Sequence, residues 1–350
     1  MPTLAAESLQ KFAKALFLAG GLPDSEADIV SKSLVDANLC GHDSHGLIRI
    51  PQYLKMVEEG NFKPGAPFTV IRETPAVLVA DGGWGFGQVQ AHRLLERLIG
   101  KARQVGVASG TLKNCGHIGR LGEYAETAAR QRCAVMGTVN SHGYGRAVAP
   151  PGGTAGRIGT NPLLLSVPTR TDPVFLDIGT CVAAEGKVRV CFNKKVPTPD
   201  GWLLDDKGKP TTDPGVLYRE PKGTILPLGA AQSYKGFGLG LLLDMFAGGF
   251  SGAPCSHPSL PLRAGNAVFF TVFDIDLFAG SEHFLSEVSE IASDVKTCPR
   301  AEGINEILLP GEPERKAKAA RLASGIPLDD GTWGQLSDVA KKLKVELPAA

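Results

Sequence analysis

Apolar residues recur at helical spacing near both ends of the chain. Residues 4–19 and 24–39 have the period of amphipathic helices, and Asp24 and Ser25 after Pro23 are candidate caps for the second. Residues 50–59 predict a third helix that ends at Gly60. The same criteria predict helices at about 88–105, 122–130, 281–292, 314–323 and 332–344, and an apolar helix that opens near Tyr234.

The middle of the chain contains short runs of apolar and β-branched residues, which are typical of strands. These runs cover residues 76–80, 107–112, 134–140, 162–168, 173–177 and 267–272. Strands thus concentrate between about 70 and 275, with helices at both ends. We predict an α/β fold in which helices from both termini clasp a central sheet, with regions 1–68, 69–275 and 276–350.

The glycine-rich stretch after the first predicted strand can be compared with the glycine motif of dinucleotide-binding proteins. Residues 81–87 follow the strand as a predicted loop and lead into a helix, which is the order of a Rossmann unit. Gly83 and Gly85 supply the first two glycines, but Gln88 stands where the third is required. No acidic residue ends the next strand. The pattern therefore argues against an ordinary Rossmann fingerprint.

Charge and cysteine content narrow the class of protein. Lys and Arg total 37 and Asp and Glu total 36, so no net charge favours nucleic acid or a membrane surface. The seven cysteines are scattered and never spaced as CxxC, which indicates reduced thiols in a cytoplasmic protein. The longest apolar run, 238–250, is too short to span a bilayer, and no export signal is evident.

Residues 41–53 bring together the most reactive side chains, and a second stretch, 114–122, adds His117 among glycines. Histidine is the usual group for proton transfer near neutral pH, which makes His42, His45 and His117 candidates. The fork of Arg49 suits a carboxylate. His92, His257 and His283 fit packed or solvated positions better.

Three alternatives remain open at this point. His42, Asp43, His45 and His117 have the residue types of a metal site, although their order is not that of a metalloprotease and we predict no metal. Cys115 beside His117 could serve a hydrolase, whereas no GxSxG motif appears. The glycines around Lys235 could serve phosphate binding or close helix packing.

Several motifs together resemble the malate/L-lactate dehydrogenase family that lacks a Rossmann domain. That family includes ureidoglycolate, sulfolactate and cyclic-imine-acid oxidoreductases. The resemblance covers nearly the whole chain. The matching segments are Gly41–Gly46 with Arg49 and Tyr53, Phe86–Gln88, His117–Gly119, Gly159–Pro162, Gly186–Lys187, Pro210–Pro214, Lys235–Gly238 and Pro310–Glu312.

The resemblance implies a fold, an activity and an assembly. It implies a mixed-sheet nicotinamide-binding domain in the middle region and a homodimer with the active site near the subunit interface. It implies an NAD(P)H-dependent oxidoreductase that interconverts a 2-oxo acid and a 2-hydroxy acid, or reduces a cyclic 2-imino acid. The expected partners are therefore a small carboxylate substrate, NAD or NADP, and a second copy of the chain.

The resemblance also assigns roles. His117 would donate and accept the proton, Arg49 would hold the substrate carboxylate, Ser44 and Tyr53 would line the site, and His45 would meet the nicotinamide. Further coenzyme contacts would come from Gly119, Arg120, Leu121, Phe175, Leu176, Asp177, Ile178, Gly179, Tyr234, Lys235, Asn266, Gly311, Glu312, Pro313 and Glu314.

Two departures from the family pattern concern the coenzyme groove. Tyr234 stands where the family usually has histidine, and Gly179-Thr180-Cys181 stands where it usually has Ala-Thr-Ser. The preference between NAD and NADP is therefore left open.

Overall fold

A computed structural model describes residues 2–142, 145–257 and 263–348. In this part of the chain the α-helices are α1 Ala6–Ala19, α2 Asp24–Leu39, α3 Ile50–Glu58, α4 Gly87–Val105, α5 Gly122–Arg130, α6 Glu185–Lys194, α7 Ser233–Ser251, α8 Ser281–Lys296, α9 Glu312–Ser324 and α10 Asp330–Leu343. The strands are β1 Thr3–Leu4, β2 Thr69–Glu73, β3 Val77–Gly85, β4 Val107–Cys115, β5 Cys133–Asn140, β6 Leu163–Val167, β7 Val174–Ile178, β8 Leu203–Leu204, β9 Pro210–Thr211, β10 Thr224–Ile225, β11 Asn266–Asp274 and β12 Ile326–Pro327.

A seven-stranded mixed sheet in the order β2-β3-β4-β11-β5-β6-β7 forms the centre of the fold. Its strands β3 and β4 are parallel and joined by α4, whereas the other neighbours in this sheet are antiparallel. Leu94, Leu98 and Ala102 of α4 are buried against the sheet. The expected α/β fold with a central mixed sheet is confirmed.

The glycine-rich stretch after residue 80 is not the loop that we expected. β3 continues through Gly85, although glycine is a poor strand former. Cross-strand partners override this preference, because Asp81 pairs with Lys113 of β4 and Gly85 pairs with Cys115. The strand therefore delivers the chain directly to α4, with no phosphate-binding loop between them.

Helices from both termini form a second hydrophobic core beside the sheet. β1 pairs with β12, and Leu9, Leu16, Leu34 and Leu336 are buried in this core. On its outer side α9 is tied to α2, because Lys318 Nζ lies 2.5 Å from Asp36 Oδ1. The expected clasp of N- and C-terminal helices is thus present, whereas the exact domain boundaries remain a prediction.

A third, smaller core lies between residues 148 and 225. β8, β9 and β10 form a three-stranded antiparallel sheet in which β8 is the middle strand. α6, which the pattern did not predict, contributes the buried Val188 to this core.

Within the described residues, no helix combines the length and apolar character needed to cross a membrane.

Candidate active site

The side chain of Asn38 folds the loop that follows α2. Asn38 is buried, its Oδ1 accepts the Leu47 N–H at 2.8 Å, and its Nδ2 donates to Asp43 Oδ1 at 2.6 Å. A Cβ at Gly46 would lie 2.1 Å from Asn38 Oδ1, so glycine is required there. Two short 3₁₀ turns then carry His45 and lead Arg49 into α3.

His117 lies at the centre of a group of aromatic and polar side chains. The hydroxyl of Tyr53 and Nδ1 of His117 are 2.7 Å apart, and Gln88 Nε2 donates to the same hydroxyl at 3.1 Å. The ring of His45 lies beside the His117 ring, with centroids 5.3 Å apart. The loop after α2, the helix α3 and the start of α4 thus meet at His117.

The motif Phe86-Gly87-Gln88 holds this arrangement together. Phe86 is fully buried and packs its ring against Tyr53, with centroids 6.1 Å apart. Gly87 contacts the backbone of residues 116 and 117 so closely that a Cβ would lie 2.2 Å from the Gly116 carbonyl oxygen. Gln88 then reaches Tyr53. Each residue of the motif therefore has a structural role.

Arg49 is anchored by one edge of its guanidinium. Its Nε donates to the Ser44 carbonyl at 2.7 Å, and its Nη1 donates to Gln52 Oε1 at 2.9 Å. Ser44 Oγ also lies 3.0 Å from His45 Nδ1. Because backbone and side-chain contacts hold Arg49 in place, its remaining N–H groups are positioned for an anionic ligand.

The first turn of α6 packs against the loop that follows α2. A Cβ at Gly186 would be 3.0 Å from Ser44 Cβ. Beside it, Glu185 Oε1 accepts hydrogen bonds from Arg189 and, at 2.8 Å, from Tyr218. The small third core therefore contributes one wall of the site.

Burial and neighbouring positive charge keep both histidines neutral. Burial lowers the pKa of His117 well below its usual value, and the charge of Arg49 lowers it further. Burial, and then Arg49, lowers the pKa of His45 to about 3. Burial raises the pKa of Tyr53 to about 12. Near neutral pH both imidazoles are thus uncharged and the Tyr53 hydroxyl keeps its hydrogen.

Most of the predicted coenzyme residues lie in three segments that hydrogen bonds join to one another. Gly122, at the start of α5, donates its N–H to Asp177 Oδ2 at 2.8 Å, which joins segment 119–121 to β7. The Phe175 N–H donates to the Pro310 carbonyl at 3.3 Å, which joins β7 to the start of α9. His42 Nε2 lies 3.3 Å from Glu314 Oε1, which joins the start of α9 to the loop after α2.

These joined segments have features that fit an anionic dinucleotide. Arg120 is buried and pairs with Asp36, yet its Nε and Nη1 have no hydrogen-bond partner in the described residues. Gly311, with φ +93°, lies so close to Phe175 that a Cβ would be 2.8 Å from its ring. Unsatisfied donors and bare backbone at a helix start are suited to phosphate groups.

Three other residues that were predicted to contact the coenzyme lie outside these segments. They are Asn266, Tyr234 and Lys235. The side chain of Asn266 accepts the Ile118 N–H at 2.9 Å and donates to the Asn140 carbonyl at 2.9 Å, so it holds the His117 loop against the sheet. Tyr234 and Lys235 are exposed on the first turn of α7. No hydrogen bond in the described residues joins them to segments 119–121, 175–179 or 311–314.

The alternative chemistries lack support from the geometry. The described residues contain no group of three or more His, Cys, Asp or Glu side chains arranged to hold a metal ion. Asp43 instead pairs with Arg321 at 2.6 Å. Cys115 is fully buried, its Sγ contacts the Asn266 carbonyl at 3.3 Å, and burial raises the pKa of its thiol, so it cannot act as the thiolate nucleophile of a hydrolase.

Sequence reasoning missed three contributors to the site. Gln88 was noted only as a break in a glycine fingerprint and as part of a motif. The pairing of His42 with Glu314 joins residues 272 positions apart, which no local pattern reveals. Gly186 was recognised only as part of a segment that matches the family, because α6 itself was not predicted.

Comparisons with known proteins agree with this geometry. The family model described as malate/L-lactate dehydrogenase matches residues 4–337. The chain is 35% identical to hydroxycarboxylate dehydrogenase B of Escherichia coli K12 over 97% of this chain and 93% of that protein.

Solved structures have the same fold. The malate dehydrogenase of Pyrococcus horikoshii OT3 superposes with a TM-score of 0.89 at 29% identity, covering 99% of this chain and 96% of that one. The δ1-piperideine-2-carboxylate reductase of Pseudomonas syringae pv. tomato superposes with a TM-score of 0.82 at 26% identity, covering 97% of this chain and 100% of that one. The chain belongs to the malate/L-lactate dehydrogenase family and is a hydroxyacid dehydrogenase.

Proposed function

We propose that the enzyme uses NADH or NADPH to reduce a 2-oxo acid to the 2-hydroxy acid, with His117 as the proton donor and Arg49 as the group that binds the substrate carboxylate. The observation that carries this proposal is the contact of His117 with Tyr53 at 2.7 Å, beside the positively charged Arg49. The groups proposed as the acid, the positioning phenol and the carboxylate-binding group thus lie close together.

Segments 119–121, 175–179 and 311–314 are proposed to hold the coenzyme, with Arg120 binding a phosphate through its unpaired N–H groups. His45, whose ring lies beside that of His117, is proposed to meet the nicotinamide. A bound, reduced nicotinamide supplies the hydride, while the protein supplies orientation and charge. Asn266 is proposed to act by holding the loop of His117, and Tyr234 and Lys235 are proposed to border the coenzyme from α7.

Substrate binding itself prepares the acid. The Arg49 charge is one cause of the low His117 pKa, and a substrate carboxylate on Arg49 offsets that charge. We therefore infer that binding raises the His117 pKa toward the range in which an imidazole transfers protons efficiently. Tyr53 holds the imidazole, and Ser44 fixes Arg49 through its carbonyl oxygen.

A cyclic 2-imino acid is the second candidate substrate. It presents the same carboxylate to Arg49 and a C=N group in place of the carbonyl. The structural likeness to a piperideine-2-carboxylate reductase is the observation that favours it.

Two measurements test the proposal. NADH or NADPH should raise the melting temperature, since a hundredfold excess over Kd adds about 2.7 kcal/mol of stability. A panel of 2-oxo and cyclic 2-imino acids with both coenzymes then identifies the substrate. No thermal shift with either coenzyme at millimolar concentration would contradict the proposal.

We further propose a cytoplasmic homodimer that associates through α7. α7 is apolar on nearly all sides; one face packs on β4, β5 and β11, and Phe237 and Leu241 pack against the third core. Its outer face exposes Leu239, Leu242, Met245, Phe246 and Phe250. Exposed apolar area of this kind marks an interaction surface. The seven cysteines form no disulfide, in keeping with a reducing compartment.

A further inference from the structure

The buried face of α7 contains one carboxylate, that of Asp244. The other buried residues of this helix are small, namely Gly236, Gly240, Ala247, Gly248 and Ser251. Asp244 is 2% exposed, and its two oxygens accept the Asn140 side-chain amide at 2.8 Å and the Ser256 backbone N–H at 2.8 Å. Burying a carboxylate costs free energy even when N–H groups hold it. The packing of α7 on the sheet alone therefore does not explain Asp244.

Asn140, the partner of Asp244, ends β5 and is also 2% exposed. Its Nδ2 donates to the Pro254 carbonyl at 3.1 Å as well, and its Oδ1 accepts the His142 N–H at 3.1 Å. Its backbone carbonyl oxygen accepts Asn266 Nδ2 at 2.9 Å. Hydrogen bonds thus hold both the side chain and the backbone of Asn140.

Asn266 carries this arrangement to the loop of the candidate acid. Asn266 is 7% exposed, and its Oδ1 accepts the Ile118 N–H at 2.9 Å. Ile118 directly follows His117 in the chain, so this bond fixes the backbone that carries the imidazole. A buried series of hydrogen bonds therefore runs from Asp244 through Asn140 and Asn266 to Ile118.

Backbone groups set the direction of each bond in this series. The N–H groups of Ile118 and His142 can only donate, and the backbone carbonyl of Asn140 can only accept. These groups orient both asparagine amides, and Asn140 consequently turns its NH₂ group toward α7. An acceptor is required there, and the carboxylate of Asp244 supplies it.

We propose that Asp244 is a positioning residue for the reaction, which holds Asn140 at the end of β5 and, through Asn266, fixes the loop of His117. The inference deepens the proposed function and rests on His117 as the group that transfers the proton. Asp244 touches neither substrate nor coenzyme in this proposal and acts only through the two asparagines.

Two other contacts hold the same loop. Gly87 packs against its backbone, and the Tyr124 hydroxyl donates to the Ile118 carbonyl at 2.6 Å. Both contacts remain when Asp244 is replaced, so the loop should loosen without unfolding.

Hydrogen exchange tests the structural step and needs no catalysis. Asp244→Asn keeps the size of the side chain but offers one acceptor oxygen where Asn140 and Ser256 need two. We expect the Ile118 amide to exchange about tenfold faster in this variant, the equivalent of one net hydrogen bond. Asp244→Ala serves as a second variant if Asp244→Asn does not fold. An unchanged exchange rate in the folded variant overturns the proposal.

Steady-state kinetics distinguish a positioning role from a general loss of stability. In Asp244→Asn we expect kcat for reduction to fall by about 10–100-fold, because a small misplacement of the acid is costly. The substrate KM should remain near wild type, since Ser44 and Gln52 hold Arg49 independently of this series. An unchanged kcat in a variant whose Ile118 amide exchanges faster contradicts the positioning role.

Ser251 provides a matched control on the same helix. It is also 2% exposed, and its Oγ donates to the Ala247 carbonyl within α7 at 2.5 Å. Ser251→Ala should leave kcat and Ile118 exchange unchanged, and equal effects in both variants would contradict the proposal in favour of a packing effect. In an Asn266→Ala background, Asp244→Asn should cause no further loss of kcat, because the connecting amide is gone. Additive losses would show that the two residues act independently and would overturn the series.

The outcomes separate this inference from the proposed function. A rate that persists in His117→Asn contradicts His117 as the acid. A rate that is lost in His117→Asn yet unaffected by Asp244→Asn leaves the function intact and overturns only the positioning role.

Discussion

Gly87 and His117 are in backbone contact: a Cβ at position 87 would lie 2.4 Å from the His117 carbonyl oxygen. The start of α4 therefore sets the position of the candidate acid. Since the contacted atoms are backbone, relief requires the His117 loop itself to move.

Gly87→Ala should displace this loop, with a loss of stability of about 1–3 kcal/mol, typical of overpacking. Activity should fall more than the loss of folded protein explains. Gly100→Ala on the same helix is the control, because Gly100 is exposed and has nothing within 4 Å of its added Cβ. That variant should gain up to about 1 kcal/mol of stability. Equal, unchanged activity in both variants would contradict the argument.

Arg49→Ala should lower kcat/KM for the substrate by an amount equivalent to about 3–5 kcal/mol, because the substrate carboxylate is left unpaired in a desolvated site. Arg49→Lys should recover only part of this, since one ammonium cannot serve Ser44, Gln52 and a carboxylate together. Steady-state kinetics measure the loss, and coenzyme affinity, the internal control, should remain near wild type. Wild-type efficiency in Arg49→Ala would assign this residue a structural role only.

His117→Asn should lower the rate by about 10²–10⁴-fold, the usual contribution of a general acid or base. Reduction requires the protonated imidazole and should fall as pH rises, whereas oxidation requires the neutral form and should fall as pH drops. Both limbs should vanish in the variant. If the variant keeps its pH dependence, His45, whose ring lies 5.3 Å away, becomes the candidate acid.

Acid should destabilise the coenzyme-free protein through its buried neutral histidines. Burial lowers the pKa of His45 to about 3 and that of His117 well below its usual value of 6.5. Above about pH 6.5 both histidines are neutral whether the chain is folded or not, and their contribution is fully present. As pH falls below that value only the unfolded chain takes up the protons, so the free energy of unfolding decreases.

Denaturant unfolding between pH 7 and pH 4 measures this decrease. His45→Asn and His117→Asn should each make the slope shallower, by up to about 1.4 kcal/mol per pH unit. If the free energy of unfolding depends on pH in both variants as it does in the wild type, these imidazoles are protonated in the folded protein.

Leu242→Lys should shift the protein toward monomer, because it places a charge at the centre of the exposed apolar face of α7. Leu322→Lys on α9 is the control, since Leu322 is 60% exposed against 56% for Leu242. Sedimentation velocity distinguishes the species. A wild-type protein that is monomeric at micromolar concentration would contradict the proposed dimer.

Of the elements in the described residues, the sequence by itself determined every α-helix except α6 and every strand of the central sheet except β2, whereas the short strands outside that sheet were not predicted. Pro23 and Asp24 start α2, whose bounds match the prediction, and the predicted helix at 88–105 agrees with α4 within one residue. Capping residues and a strong 3.6-residue period act locally, so these elements can be read from a single chain. The types of residue in the site, including His45, Arg49 and His117, were recognisable for the same reason.

Tertiary structure determined which of these residues are in contact. β3 runs through the glycines to Gly85 because β4 supplies its backbone partners, which outweighs local propensity. Tyr53 meets His117 across 64 positions, and His42 meets Glu314 across 272. Gln88 acquires its place from the close contact of Gly87 with the His117 loop. Such pairings depend on how helices and sheet pack in three dimensions, and no local period in the chain encodes them.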